Sequence, residues 1–238
     1  MAAKDGHEEG RLWSRPSAEP REEAQPVGLS RLRLDARARS DHLLYVPSGY
    51  RLGRRAPLVV LLHGAGANSR DIMPYLRDLA NTAGLILLAP TSREYTWDVI
   101  AGGYGPDVEA IDQALEVTFS RYAVDPGRIA VGGFSDGASY ALSLGITNGD
   151  LFEHILSFSP GFMAPAAQAG SPRIFVSHGT RDAVLPIDRC SRKIVPELER
   201  AGYEVRYREF EGGHTVPPGI RREAVAWLTS GQDPGRAP

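Results

Sequence analysis

One cysteine, Cys190, stands in 238 residues. A single thiol cannot close an intrachain disulfide and cannot by itself build a metal site; its ordinary role on a helix is that of a small, half-buried residue. Long apolar runs are missing as well. The longest, PLVVLLHG at 57–64 and LILLAP at 85–90, fall far short of the ~20 residues of a membrane span. Nor does one charge dominate: 27 Lys and Arg against 29 Asp and Glu leave a formal net charge of -2. That balance offers no basic patch for nucleic acid and no polybasic run for an anionic membrane. The histidines and aspartates lack any H-x-x-x-H pairing, so no catalytic metal is expected.

The first 27 residues mix charge, proline and glycine without the apolar segment of a signal peptide, and read as a disordered polar tail. A cytoplasmic location follows as the expectation, with a flexible tail again at 231–238. The remainder, residues 28–230, has no internal repeat or linker. With 42% hydrophobic and 24% charged residues in the whole chain, it is expected to form one globular domain.

Inside that domain, short apolar runs alternate with helical periodicity. Arg31–Leu34 and His42–Val46 alternate with polar neighbours and read as edge strands. Pro57–Leu62 is continuously apolar and fits a strand buried on both faces. Ile72, Tyr75, Leu76 and Leu79 fall at helical spacing over 69–81. Strand Leu85–Leu88, helix Asp107–Tyr122, strand Arg128–Val131 and a helix from Ser135 to about Leu144 follow. Then come strands at His154–Phe158 and Arg173–Ser177, a helix at Ile187–Arg200, a strand at Tyr203–Phe210 and a helix at Ile220–Leu228. Such interleaving implies right-handed crossovers and a mostly parallel central sheet with helices on both faces, an α/β fold.

Functional groups of such a sheet gather beyond the carboxyl ends of its strands. After PLVVLL comes His63-Gly64-Ala65-Gly66. After RIAVG comes Gly133-Phe134-Ser135-Asp136-Gly137, a G-x-S-x-G in which glycines remove Cβ atoms where a strand reverses into a helix and leaves one hydroxyl exposed. After RIFVSHG comes Asp182, and after Tyr203–Phe210 comes His214. The elbow pattern alone is weak in a chain with 26 glycines. Serine, acid and histidine in that order, each at a strand end, are far more specific, and this is the order of the α/β-hydrolase fold. The chemistry is coherent: His214 can take the Ser135 proton, Asp182 can fix the imidazole, and the backbone N–H groups of Ala65 and Asp136 can hold an oxyanion.

The blocks LLHGAGANS, GGFSDGAS, SHGTRDAVLP and EGGHTVPP resemble those of the phospholipase/carboxylesterase family of α/β-hydrolases, with its acyl-protein thioesterase-like and polyhydroxybutyrate-depolymerase-like esterases, over nearly all of 40–230. The resemblance implies cofactor-free hydrolysis of carboxylic esters, a triad of Ser135, Asp182 and His214, and oxyanion donors at Ala65 and Asp136. Many members carry Gln after the nucleophile. Here Asp136 stands there, an acid favoured by the helix N-terminus if it points away from the oxyanion, and one that would disfavour anionic substrates if it faces the pocket.

Other histidines read as structural: His63 as a holder of the HGAG loop, His178 and His154 as packed residues, and His7 as part of the tail. Asp188 is an alternative acid whose place before a helix suits capping or solvation. Tyr95, Trp97 and Tyr104 on one loop, and Phe162 and Met163 on another, are the candidate substrate wall, with packing of those loops as their other reading. Both loops are too short for a large cap domain. A small-molecule ester is the expected partner, a homodimer is left open, and a non-catalytic receptor, a serine peptidase or a thioesterase remain alternatives on the same scaffold.

Overall fold

In the computed structural model, which describes residues 6–17, 27–32, 34, 41–51 and 53–230, the apolar runs become strands of one eight-stranded sheet. In chain order the elements are β1 (Gly28–Leu32), β2 (His42–Val46), β3 (Ala56–Leu62), α1 (Ser69–Ile72), α2 (Arg77–Ala83), β4 (Ile86–Ala89), α3 (Asp98–Ala101) and α4 (Pro106–Arg121). They continue with β5 (Val124–Phe134), α5 (Asp136–Thr147), β6 (His154–Phe158), β7 (Arg173–Gly179), α6 (Ser191–Arg200), β8 (Val205–Phe210) and α7 (Pro218–Ser230). The spatial order is β1-β2-β4-β3-β5-β6-β7-β8. Only the β1–β2 and β2–β4 pairs are antiparallel; every other neighbour runs parallel.

Strand periodicity sorts the core into two layers. Leu58, Val60 and Leu62 of β3, with Ile86 and Leu88 of β4, face a cluster completed by α4, α5 and α6. Val59, Leu61, Leu87 and Ala89 face the opposite cluster, closed by Ile72, Met73, Leu76, Ala80 and the α7 residues Ile220, Ala224, Trp227 and Leu228. All seven residues of β3 are buried, as a continuous apolar run in a sheet covered on both faces requires.

Two local expectations change. His42–Val46 is not an edge: it pairs with β1 through Val46 and Gly28, and with β4 through Leu43 and Ala89. The helix expected over 69–81 is interrupted by a single 3₁₀ turn at Met73–Tyr75, because Pro74 has no N–H for an α-helical bond. A capping box starts α1, in which the Asn68 side chain accepts the Arg70 N–H and the Asp71 carboxylate accepts the Asn68 N–H.

The amino-terminal stretch departs from the disorder expected over 1–27. Residues 6–17 lie against α4 and the end of α5. Leu12 is fully buried in the first cluster. The Asn148 side chain accepts the Leu12 N–H at 2.8 Å and donates to Gly10 O at 2.8 Å. The Asp112 carboxylate accepts the N–H groups of Trp13 and Ser14, and Arg11 binds Asp150 with both guanidinium arms. Composition cannot reveal this docking, because one leucine carries the apolar contact and the polar partners lie about 100–140 residues away in sequence. The tail expectations for 1–5, 18–26 and 231–238 lie outside the described residues. Replacing Leu12 by Ala is expected to cost about 2–5 kcal/mol of folding stability, read as a lower midpoint in urea unfolding; an unchanged midpoint would mean that the segment does not contribute to the fold.

Candidate active site

Parallel register brings the strand ends together. Leu62 of β3 lies opposite Gly133 of β5, Phe134 opposite Phe158 of β6, Phe158 opposite Ser177 of β7, and Gly179 opposite Phe210 of β8. The segments after β3, β5, β7 and β8 therefore emerge at one edge. Among the described residues no separate cap domain covers it.

Ser135 sits between β5 and α5 with φ 59° and ψ -122°, a left-handed conformation that a non-glycine residue adopts only when its surroundings hold it there. Those surroundings are tight. A Cβ on Gly137 would lie 2.1 Å from Leu62 O, and one on Gly133 would lie 2.3 Å from Gly137 O. Glycine at both positions lets α5 start directly against the end of β3, and the Ser135 N–H is tied to Phe158 O at 3.0 Å.

His214 Nε2 is 2.9 Å from Ser135 Oγ, and His214 Nδ1 is 2.6 Å from Asp182 Oδ2. The imidazole also packs on Phe134, ring centroids 4.6 Å apart. The Asp182 side chain is fully buried, and its Oδ1 accepts the N–H groups of Val184 and Leu185, each at 2.9 Å. Burial alone would raise its pKa; the Leu185 N–H, His214 and the Val184 N–H outweigh burial and hold it below the ordinary carboxylate value. Asp188, the other candidate acid, is solvent-exposed and bound to Arg192 at 2.8 Å.

Ala65 lines the cavity in front of Ser135, in a loop pinned by the Gly66 N–H to Tyr95 O at 2.7 Å. His63 is buried beneath it. Its Nδ1 donates to Gly64 O, its Nε2 accepts the Ser92 N–H, and its carbonyl accepts the Trp97 indole N–H. These bonds require the neutral ring, and burial lowers the His63 pKa in the same sense. Asp136 opens α5 and turns its carboxylate aside to accept the Thr96 hydroxyl at 2.6 Å.

The cavity beside Ser135 and His214 measures about 310 Å³ and is lined by Ala65, Ala67, Asp71, Ile72, Tyr75, Phe134 and Val184 among others. None of the five aromatic or thioether residues expected to wall it is among the lining residues. Trp97 is buried and stacked on Tyr140. Tyr104 donates its hydroxyl to Ala164 O and packs toward Tyr140. Met163 packs against the core. The Phe162 N–H lies 3.4 Å from Ser139 Oγ, and Tyr95 is exposed beside Gly66. Trp97, Tyr104 and Met163 are thus taken up by packing against α5 and the core. The lining comes instead from the elbow residue Phe134 and the first turns after the HGAG loop. Ile72 and Tyr75 showed in the sequence only as helix-face residues. Size does not locate the site, since slightly larger clefts lie at the far end of the sheet around Arg51, Arg54 and Arg128 and beside Trp13.

Residues 106–220 match the family described as phospholipase/carboxylesterase. The chain has the α/β-hydrolase fold. It is 24% identical to esterase PE8 with a TM-score of 0.66, the match covering 86% of this chain and 99% of that one. To FphF, a fluorophosphonate-binding serine hydrolase of Staphylococcus aureus, it is 14% identical with a TM-score of 0.70 over 86% and 99% of the two chains. The Bacillus cereus carboxylesterase is 20% identical, TM-score 0.61, over 82% and 96%. No curated protein matches the sequence.

Since a Cβ at Gly137 would strike the β3 backbone, Gly137→Ala should lower stability by about 3 kcal/mol, the upper end of the usual overpacking cost. Gly219→Ala, in α7 with open space around it, should be neutral or stabilising by up to about 1 kcal/mol. Equal unfolding midpoints for the two variants would contradict the close approach at the elbow.

Proposed function

We propose that this α/β-hydrolase is a serine carboxylesterase acting on short- to medium-chain carboxylic esters. The observation that carries the reading is the continuous hydrogen-bonded series Ser135–His214–Asp182, at 2.9 and 2.6 Å. The names of its structural neighbours, esterase, carboxylesterase and serine hydrolase, support it, as does the family matched over 106–220.

In this reading Ser135 Oγ bonds to the ester carbonyl carbon while its proton passes to His214 Nε2. The carbonyl oxygen becomes an oxyanion, held by the N–H groups of Ala65 and Asp136. The C–O bond to the alcohol breaks, the alcohol leaves with the proton from His214, and an acyl group remains on Ser135. A water molecule gives a proton to His214 as its oxygen attacks that acyl carbon, and collapse returns the proton to Ser135 and releases the carboxylic acid. Asp182 keeps the Nδ1–H tautomer in place and stabilises the imidazolium formed twice per cycle. The apolar side chains Ile72, Tyr75, Phe134 and Val184 of the cavity suit a modest acyl chain or alcohol. With the Asp136 carboxylate engaged by Thr96, its backbone N–H rather than its charge serves the oxyanion.

Hydrolysis of p-nitrophenyl esters of rising acyl length tests the reading. Ser135→Ala should reduce turnover to background while thermal unfolding stays within error of wild type. Asp182→Asn should lower kcat by about 10³–10⁴-fold with little change in KM, and Asp188→Asn should leave both intact. The rate should rise with pH between about 5 and 8, where imidazoles lose their protons, because the carboxyl of Asp182 is held low and is already ionised there. Saturable binding of the esters without turnover by the wild type would favour a receptor instead.

A further inference from the structure

A second histidine, His178, is buried against the far side of Asp182. Its side chain is fully inaccessible, and its Nε2 lies 2.8 Å from Leu185 O and 3.3 Å from Asp182 Oδ2. Both of those atoms can only accept, so Nε2 must carry a proton. Its Nδ1 is 2.6 Å from Ser191 Oγ, at the first turn of α6. A neutral ring protonated at Nε2 has a free lone pair at Nδ1, and the Ser191 hydroxyl donates to it. Burial favours this neutral ring by pushing the His178 pKa below its ordinary value.

The bonds close a loop. His178 donates to Leu185 O, and the N–H of the same Leu185 donates to Asp182 Oδ1. His178 therefore holds the 182–185 turn that supplies both N–H donors to the carboxylate. Its Nε2–H also faces the oxygen that receives His214 Nδ1–H. A carboxylate gripped on Oδ1 by two amides and faced on Oδ2 by two imidazoles has one orientation open to it.

We propose that His178, oriented by Ser191, is a positioning residue of the hydrolase site that sets the plane of Asp182 and through it the angle of His214. This rests on the catalytic reading of Ser135, Asp182 and His214. His178 touches no reacting atom and remains neutral through the cycle, so it does not compete with the His214 imidazolium for the charge of Asp182. The charged and titratable groups around it are Asp182 and His214 on the loops after β7 and β8, Cys190 ahead of α6, and Glu209 opposite it on β8. Glu209 is already paired with Arg192 at 2.6 Å.

The test compares His178→Leu, His178→Gln and Ser191→Ala with wild type, using kcat, KM and the pH profile on a soluble p-nitrophenyl ester, together with the His214 imidazole titration followed by NMR. His178→Leu should lower kcat by up to about 100-fold with KM unchanged, and should displace both the acid limb of the pH profile and the His214 titration. His178→Gln, whose amide can still donate to Leu185 O, should recover part of the loss. Ser191→Ala should give a smaller loss of the same kind and no further loss in the His178→Gln background; it also serves if His178→Leu does not fold. Folded variants with wild-type kcat, pH profile and His214 titration would overturn the proposal. A wild type without turnover would count against the esterase reading alone, since the His214 titration still reports whether His178 positions the acid–histidine pair.

Discussion

The turn from β5 into α5 is possible only because two backbones touch. Gly137 meets the end of β3 at a distance that no Cβ allows, and Gly133 meets Gly137 in the same way. This close approach forces Ser135 into a left-handed conformation and puts its hydroxyl at the edge where the loops after β3, β7 and β8 also emerge. The sheet supplies the stiffness that such strain requires, since β3 and β5 are central strands with neighbours on both sides and their side chains feed both core clusters. Relaxing the contact would move Ser135 relative to both the Ala65 loop and His214, so core packing and site geometry rest on the same few atoms.

Histidine is used in three different ways around that edge. His63 is neutral and internal, tying Gly64 of the HGAG loop to Ser92 on the segment after β4. His214 is mostly buried but lines the cavity, and it bridges Ser135 and Asp182. His178 is sealed behind Asp182, between a hydroxyl and a carbonyl. The partners of each ring define its role, and the carboxylate of Asp182 is the point where two of the three meet. One buried charge is thus satisfied by two amides and two imidazoles, a complete set for a carboxylate.

Legibility in the sequence followed the range of the interaction. The continuous run in β3 and the strand–helix alternation depend on neighbours along the chain, and the parallel sheet with helices on both faces could be read from them. Ser135, Asp182 and His214 were recognisable because each directly follows a strand, and strand ends in a parallel sheet converge whatever lies between. The lining of the cavity was not legible. Trp97 and Tyr104 have the right chemistry and the right end of the sheet, yet Tyr140, a residue distant in sequence, claims both rings. Leu12 was hidden for the same reason, since its partner Asn148, the Asp112 carboxylate that holds the next residue Trp13, and its core pocket come together only once the domain has folded. His178 looked like an ordinary packed histidine, and only the register of β7 with the 182–185 turn reveals its contact with Asp182.

The central claim is the proposal that Ser135 is a catalytic nucleophile, and the most direct measurement is the site of covalent capture. A fluorophosphonate mimics the tetrahedral intermediate and bonds irreversibly to a serine whose proton a base can remove. Intact mass should show one adduct per chain, peptide mapping should put it on Ser135, and prior denaturation should abolish it. An adduct on any other residue, or no adduct on folded protein that hydrolyses esters, would contradict the account.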